Sequence, residues 1–341
     1  MSLKTTIKEK FGYDVSELEA YVDESRLDFV TRAVTEGRTL ELIDVRDGIK
    51  GTQDIPLLDD TVNYQDASDC GFNASGDTEF DTTPLTVVPM KINKKFCNRK
   101  LAGFFTQQGL RRGTMAEKEE LPFGNTITNH VLDLHKEAFD SVLWRSDSSL
   151  STGNLSFFDG FKTQFDASSA VINATGQVST MGTSPAVISN ITVANAYDLF
   201  IGIHNIMVEE NETVAFSGDF VLFTSMANLQ KLKTSMVQKN LFHYSSEELQ
   251  QGNFQVRLAG TDTLVIGAPG LKGTNDVYGG RRSRMIYGTD EVGDLLNFDL
   301  FYSKDFDELR FRLEFRAGVT VTYFNEFIKW NGAVASPSSP E

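Results

Sequence analysis

Cysteine, histidine and proline are scarce in this 341-residue chain, which holds two Cys, four His and eight Pro. Two thiols, Cys70 and Cys97, are too few for a disulfide framework, and both are expected to be reduced. Four histidines leave little material for a metal centre. His130 and His135 are five residues apart, about 140° around a helix, so they cannot chelate from adjacent turns. No apolar run approaches the ~18 residues of a membrane span, and no membrane partner is expected. Residues 1–8 carry charge without a following apolar core, so no secretory export is expected. Without export, the Asn-X-Ser/Thr triplets at Asn73, Asn154, Asn173, Asn190 and Asn211 read as chance matches.

Catalytic patterns are equally thin. Asp133 and Glu137 share a helix face at i, i+4, but Lys136 lies beside them and the face reads as solvated. His135 and His204 fall on apolar helix faces and are expected to be buried, hydrogen-bonded core residues. Gly267, Gly270 and Gly273 follow an apolar run, yet their spacing and the intervening Pro269 exclude a dinucleotide fingerprint and a phosphate loop. Asp59, Asp60, Asp66 and Asp69 are not spaced as a calcium loop. No enzymatic activity, cofactor or metal is expected, and a structural role is favoured.

What the chain has is charge, unevenly placed. The net charge of −15 hides a change of sign along the sequence. Residues 1–83 hold 19 acidic and 8 basic residues, a balance of −11. Residues 84–113 hold seven basic residues (Lys91, Lys94, Lys95, Arg99, Lys100, Arg111 and Arg112) and no acidic one. From residue 114 onward, 28 acidic and 17 basic residues return the balance to −11. Such an island calls for a partner. Nucleic acid is one candidate, since Phe96, Phe104 and Phe105 could stack on bases. The acidic surface of another copy of the chain is the other, and the overall negative charge favours it.

Periodicity orders the elements. Short helices are expected around residues 16–22 and 27–37, followed by a polar, weakly periodic stretch at 44–83. The basic island reads as a long hairpin, with a strand at 85–92, a turn at 93–95 and a return strand through Phe104 and Phe105. A helix over 126–144 places Ile127, Val131, Leu134, His135, Ala138 and Val142 on one arc and Asp133, Lys136, Glu137 and Asp140 on the other. A second helix, capped by Thr192, carries Val193, Ala196, Tyr197, Phe200, Ile203, His204 and Met207 on one face. Asn195, Asp198, Asn205 and Glu209 lie opposite. Strands are expected at 220–224, 254–258 and 263–266, with a helix at 226–233. A long strand has Leu309, Phe311, Leu313 and Phe315 alternating with Arg310, Arg312, Glu314 and Arg316, and it continues through Val319, Val321 and Tyr323.

This order resembles the major capsid proteins of tailed bacteriophages with the HK97-type fold. The likeness is carried by the helix ending Leu-Asp-Leu-His-Lys-Glu-Ala-Phe at 132–139, by Phe-Phe-Asp-Gly-Phe at 157–161 and by Val-Ile-Asn-Ala-Thr-Gly at 171–176. It continues in Phe-Val-Leu-Phe-Thr at 220–224, Thr-Leu-Val-Ile-Gly at 263–267 and Phe-Asp-Leu-Phe-Tyr at 298–302. The resemblance implies an α+β capsid fold. An N-terminal arm would span 1–83 and an extended hairpin loop 84–116. The peripheral domain, with a long spine helix, would take 117–154 and 294–323, and an α/β axial domain 155–293 and 324–341. It also implies self-assembly through pentamers and hexamers into an icosahedral shell around a phage genome. Assembly would take place in the bacterial host cytoplasm and the product would be a virion, with scaffolding, portal or decoration proteins as candidate partners. The seven basic residues of the island become candidate interface residues. An encapsulin-like nanocompartment shell is the alternative of the same fold. A nucleic-acid-binding protein using the basic hairpin, but without sequence-specific recognition, and a hydrolase with an unrecognised site are the alternatives of other classes.

Overall fold

The structure is a computed structural model that describes residues 38–65, 75–97, 123–182, 184–241, 254–291, 298–303, 306 and 308–332. The expected helices before residue 38, and Phe104 and Phe105, lie outside the described residues.

The longest strand, β12 (Glu308–Val321), organises the first sheet. Phe311, Leu313, Phe315, Ala317, Val319 and Val321 are buried, while Arg312 and Glu314 between them are exposed, as a one-sided strand requires. Three strands pair with it antiparallel: β4 (Val88–Cys97) along residues 308–317, β11 (Phe298–Ser303) along 308–313, and β10 (Met285–Gly288) along 318–321. β1 (Asp44–Arg46) adds to β10 in parallel, just after the short helix α1 (Arg38–Leu42).

The polar, weakly periodic stretch, for which no element was expected, contributes most of a two-stranded hairpin, β2 (Thr52–Asp60) with β3 (Thr78–Thr86), paired from Thr52 opposite Thr86 to Asp60 opposite Thr78. Most of its residues are exposed on both faces, so it carries no period-2 apolar pattern. The turn expected at 93–95 is absent, because β4 runs straight through those residues. Asn93, Lys94 and Lys95 are polar because they are solvated, not because the chain reverses there.

The second sheet has six strands in the order β5 (Ile172–Asn173), β13 (Ile328–Asn331), β9 (Asp276–Arg281), β6 (Phe220–Thr224), β8 (Leu264–Gly267) and β7 (Gln255–Arg257). β6 is buried throughout and its side chains divide by parity. Phe220 and Leu222 join the cluster formed by helices α4 (Ala196–Glu210) and α6 (Met226–Gln238), with the short α5 (Glu212–Ala215) between them. Val221 and Phe223 join the cluster formed by α2 (Phe123–Arg145) and α3 (Phe161–Ala167) on the other side.

Helix α2, about 34 Å long at 1.5 Å per residue, connects the two sheets. Phe139 packs on Phe315 of β12 at 5.5 Å, and one turn later Trp144 packs on Phe223 of β6 at 5.1 Å. Trp144 is fully buried and its indole N–H donates to Thr39 Oγ1 at 2.9 Å, which removes the cost of burying that donor. The helix faces depart from simple periodicity. Leu134 and Ala138 are exposed, and Asp140 is buried. Asp198 of α4, expected on the solvated face, is also buried, where it pairs with Lys239 and accepts the Met181 N–H at 3.2 Å. Thr192 is not the cap of α4. Asn195 holds that position and turns its side chain back to accept the Thr192 N–H at 2.8 Å.

Candidate subunit interface

Of the seven basic residues singled out, Lys91, Lys94 and Lys95 lie on β4 and are exposed. Arg99, Lys100, Arg111 and Arg112 lie outside the described residues. The island does not stand clear of its own subunit, at least as far as residue 97, because β4 is laddered to β12.

That ladder gathers more charge than the sequence indicated. Directly opposed residues of an antiparallel pair share a face. Lys95 stands opposite Arg310, Asn93 opposite Arg312, Lys91 opposite Glu314 and Pro89 opposite Arg316. From β11, Asp299 joins the same face opposite Arg312, and Phe301 joins it opposite Arg310. The outward face of the sheet therefore carries Lys91, Lys95, Arg310, Arg312 and Arg316 against Glu314 and Asp299. Arg312 Nε donates to Glu314 at 2.9 Å, Arg316 pairs with Asp290 at 3.4 Å, and the Arg310 guanidinium lies 4.7 Å from the Phe306 ring centroid. Arg310, Arg312 and Arg316 had read only as the polar side of a strand, because their approach to β4 spans more than 200 residues of sequence.

The opposite charge sits on the β2–β3 hairpin. Its described residues hold Asp54, Asp59, Asp60, Asp77, Glu79 and Asp81 and no basic residue. Leu58 and Phe80, an opposed cross-strand pair, are 57% and 80% exposed, and Val62 and Tyr64 beyond them are 74% and 99% exposed. The hairpin is thus an acidic ribbon that exposes apolar side chains along its outer part.

Among the described residues, the charged and histidine side chains singled out by the sequence or gathered by the fold have the following partners. Lys162 Nζ donates to Asp166 at 2.9 Å, Asp276 at 2.8 Å and Tyr278 Oη at 2.9 Å, so its three protons have three acceptors. Burial works against its charge, but the hydrogen bonds and charges of Asp166 and Asp276 outweigh it and hold the Lys162 pKa above the ordinary range. Burial first, then the same two carboxylates, push the Tyr278 hydroxyl strongly upward. Asn331 Nδ2 donates to Asp166 at 3.0 Å, which completes a network tying α3 to β9 and β13. Glu137, read as merely solvated, pairs with Lys272 at 2.9 Å, and that hydrogen bond lowers its pKa. His204 is buried and shares a hydrogen bond with Thr263 at 3.0 Å, as a core histidine should. His135 is buried too, but its Nε2 has no hydrogen-bond partner among the described residues, contrary to expectation. Among the described residues no His, Cys, Asp and Glu cluster could hold a metal ion, and no helix is long and apolar enough to cross a membrane.

No family model matches the sequence, and no curated protein matches it. Solved structures do resemble the fold. A chain of the satellite phage P4 procapsid, a particle that includes the size determination (Sid) protein, superposes with a TM-score of 0.57 at 10% identity, covering 97% of this chain and 98% of that one. A chain of the capsid of Myoviridae phage XM1 gives 0.53 at 10% identity, over 85% and 90% of the two chains. A chain from the capsid of an empty GTA particle gives 0.52 at 9% identity, over 87% and 90%. The fold of this protein is thus a capsid-type α+β fold, similar overall to chains of phage and GTA capsids.

Proposed function

We propose that the chain is a major capsid protein that self-assembles into the icosahedral shell of a phage. The observation that carries this reading is the likeness to a chain of the P4 procapsid along nearly the whole length of both chains. In this reading the first sheet and α2, as spine helix, form the peripheral domain. The six-stranded sheet with α4 and α6 forms the axial domain, around which pentamers and hexamers close.

The acidic β2–β3 hairpin, rather than the basic island, takes the part of the extended loop. It reaches the outward face of β4, β12 and β11 on the next copy, where Lys91, Lys95, Arg310 and Arg312 meet its carboxylates. Arg99, Lys100, Arg111 and Arg112 are proposed to serve the same contact, whereas Lys94, opposite Phe311 on the other face of β4, lies outside it. Complementary edges of this kind orient each incoming subunit and suppress wrong pairings. Scaffolding, portal or decoration proteins would act on this lattice, assembled in the host cytoplasm and carried in the virion. The nanocompartment alternative has no observation in its favour.

Negative-stain microscopy and sedimentation of the purified chain at micromolar concentration test the proposal. Rings, sheets or closed shells are the expected result. A persistent 37.9 kDa monomer, with or without co-expressed neighbouring gene products, would reject it.

A further inference from the structure

The chain leaves the first sheet at the end of β12 and enters the second at β13. In the crossing between them Tyr323 has φ +53° and ψ +66°, the left-handed region, which a residue bearing a Cβ occupies only when its surroundings hold it there. Three sets of contacts do so. Its carbonyl accepts the Glu326 N–H at 2.9 Å, and the neighbouring Thr322 N–H donates to the Arg284 carbonyl at 3.0 Å. The Arg284 guanidinium covers the Tyr323 ring at 4.9 Å from its centroid and is itself held by Glu326 at 3.3 Å. The phenol then meets β2 end-on. Its oxygen accepts the Leu58 N–H at 3.0 Å, and its O–H donates to the Leu58 carbonyl at 2.7 Å.

Leu58 directs both backbone groups to the outer edge of the hairpin, away from β3, which is why one hydroxyl can satisfy the pair. The location of this contact makes it unusual. At its base the hairpin is anchored by a buried cluster of Ile49, Ile55, Leu85, Val87 and Ile286. Past that cluster, residues 57–60 and 78–82 are exposed apart from the half-buried Leu57, so side-chain packing does little to fix their direction. Tyr323 does so through the backbone.

We propose that Tyr323 is a latch that ties the pose of the distal hairpin to the crossing between the two sheets. A shift of one sheet relative to the other is then transmitted to Leu58, and displacement of the hairpin is transmitted back to the crossing. The latch is a property of the single subunit and holds whether or not the chain builds a shell.

Amide hydrogen exchange on the full chain tests it. Tyr323→Phe keeps the ring under Arg284 and removes both bonds to Leu58. Exchange over residues 57–60 and 78–82 should accelerate about tenfold, the size expected for losing two neutral hydrogen bonds, while β6 and β9 stay at the wild-type rate. Arg284→Gln, which frees the ring but leaves the hydroxyl, should accelerate the same segments less and add nothing further to Tyr323→Phe. Unchanged hairpin exchange in Tyr323→Phe would overturn the proposal. Equal acceleration in β6 and β9 would overturn it too, because Tyr323 would then support the fold at large. Should Tyr323→Phe fail to fold, Arg284→Gln alone decides by the same local comparison.

Discussion

The carboxylate of Asp140, in the penultimate turn of α2, accepts the backbone N–H of Gly270 at 2.6 Å across 130 residues of sequence. Gly270 lies in the turn after β8, and a Cβ there would collide with the Asp140 carbonyl and the Trp144 ring. The contact locks α2 to the six-stranded sheet.

Removing it should be costly. Asp140→Ala leaves a buried amide without its acceptor and is expected to destabilise the fold by about 2–3 kcal/mol. Asp140→Asn retains an acceptor oxygen and should recover most of that. Urea unfolding should show the midpoint of Asp140→Ala lowered at unchanged slope. An unchanged midpoint would mean the contact contributes nothing.

Asp140 also marks where legibility ends. The 3.6-residue period locates α2 within a few residues, but it assigns Asp140 to the solvated arc. At its C-terminal end the helix is enclosed from more than one side, by β12, β6 and the turn holding Gly270, so an arc that is polar in sequence is buried in space. Where an element has one wet face and one dry face the pattern suffices, and β12 was readable almost residue by residue. The hairpin was unreadable for the opposite reason: most residues on both its faces are wet, so Thr and Asp are the commonest residues and no alternation survives. On the outward face of β4 and β12, the sequence displays the charge of Lys91 and Lys95, but the register that sets them beside Arg310 and Arg312 is a long-range property that local pattern does not encode.

His135 should set an acid limit on stability. Burial between Phe139 and Phe315, with ring centroids at 5.5 and 5.1 Å, lowers its pKa from 6.5 to about 4. The folded state therefore binds this proton less well than the unfolded chain does. Stability is fully retained above about pH 6.5, falls as pH drops towards 4, and loses nothing more from this group below that, for a total of roughly 3 kcal/mol. His135→Phe removes the titration and an unpartnered buried nitrogen, so it should flatten this window and leave stability at pH 7 equal or higher. Thermal unfolding of both proteins from pH 7 to 4 makes the comparison, and parallel curves would refute the assignment.

Nucleic acid should not bind the unassembled subunit. The chain carries −15 overall, and at ~0.15 M salt a Debye length of about 8 Å confines the attraction of the basic face to near contact. No mobility shift of duplex or single-stranded DNA is expected at low micromolar protein. A shift that weakens steeply with added salt would transfer the basic face from subunit contact to nucleic acid.

Charge exchange offers the sharpest test of the edge contact. Each exposed ion pair is worth little, about 0.2–1 kcal/mol, so a single substitution is a poor probe. Lys91→Glu, Lys95→Glu and Arg310→Glu together replace attraction by repulsion across one contact. Even 1–2 kcal/mol per contact raises the threshold concentration for assembly roughly tenfold. The folded subunit should survive, since all three side chains lie on the solvated face of the sheet, and its circular dichroism should match wild type. The decisive arm is the reciprocal change, Asp59→Lys, Glu79→Lys and Asp81→Lys in the hairpin. Either triple variant alone should stay dispersed in light scattering, whereas an equimolar mixture should assemble in part, because each variant repels its own kind but presents a complementary edge to the other, and rings with an odd number of subunits cannot alternate the two. One chain carrying all six changes presents matched edges again and should assemble near the wild-type threshold. Failure of that chain to assemble, with its fold intact, would show that the hairpin and the basic strand face do not meet across the subunit boundary.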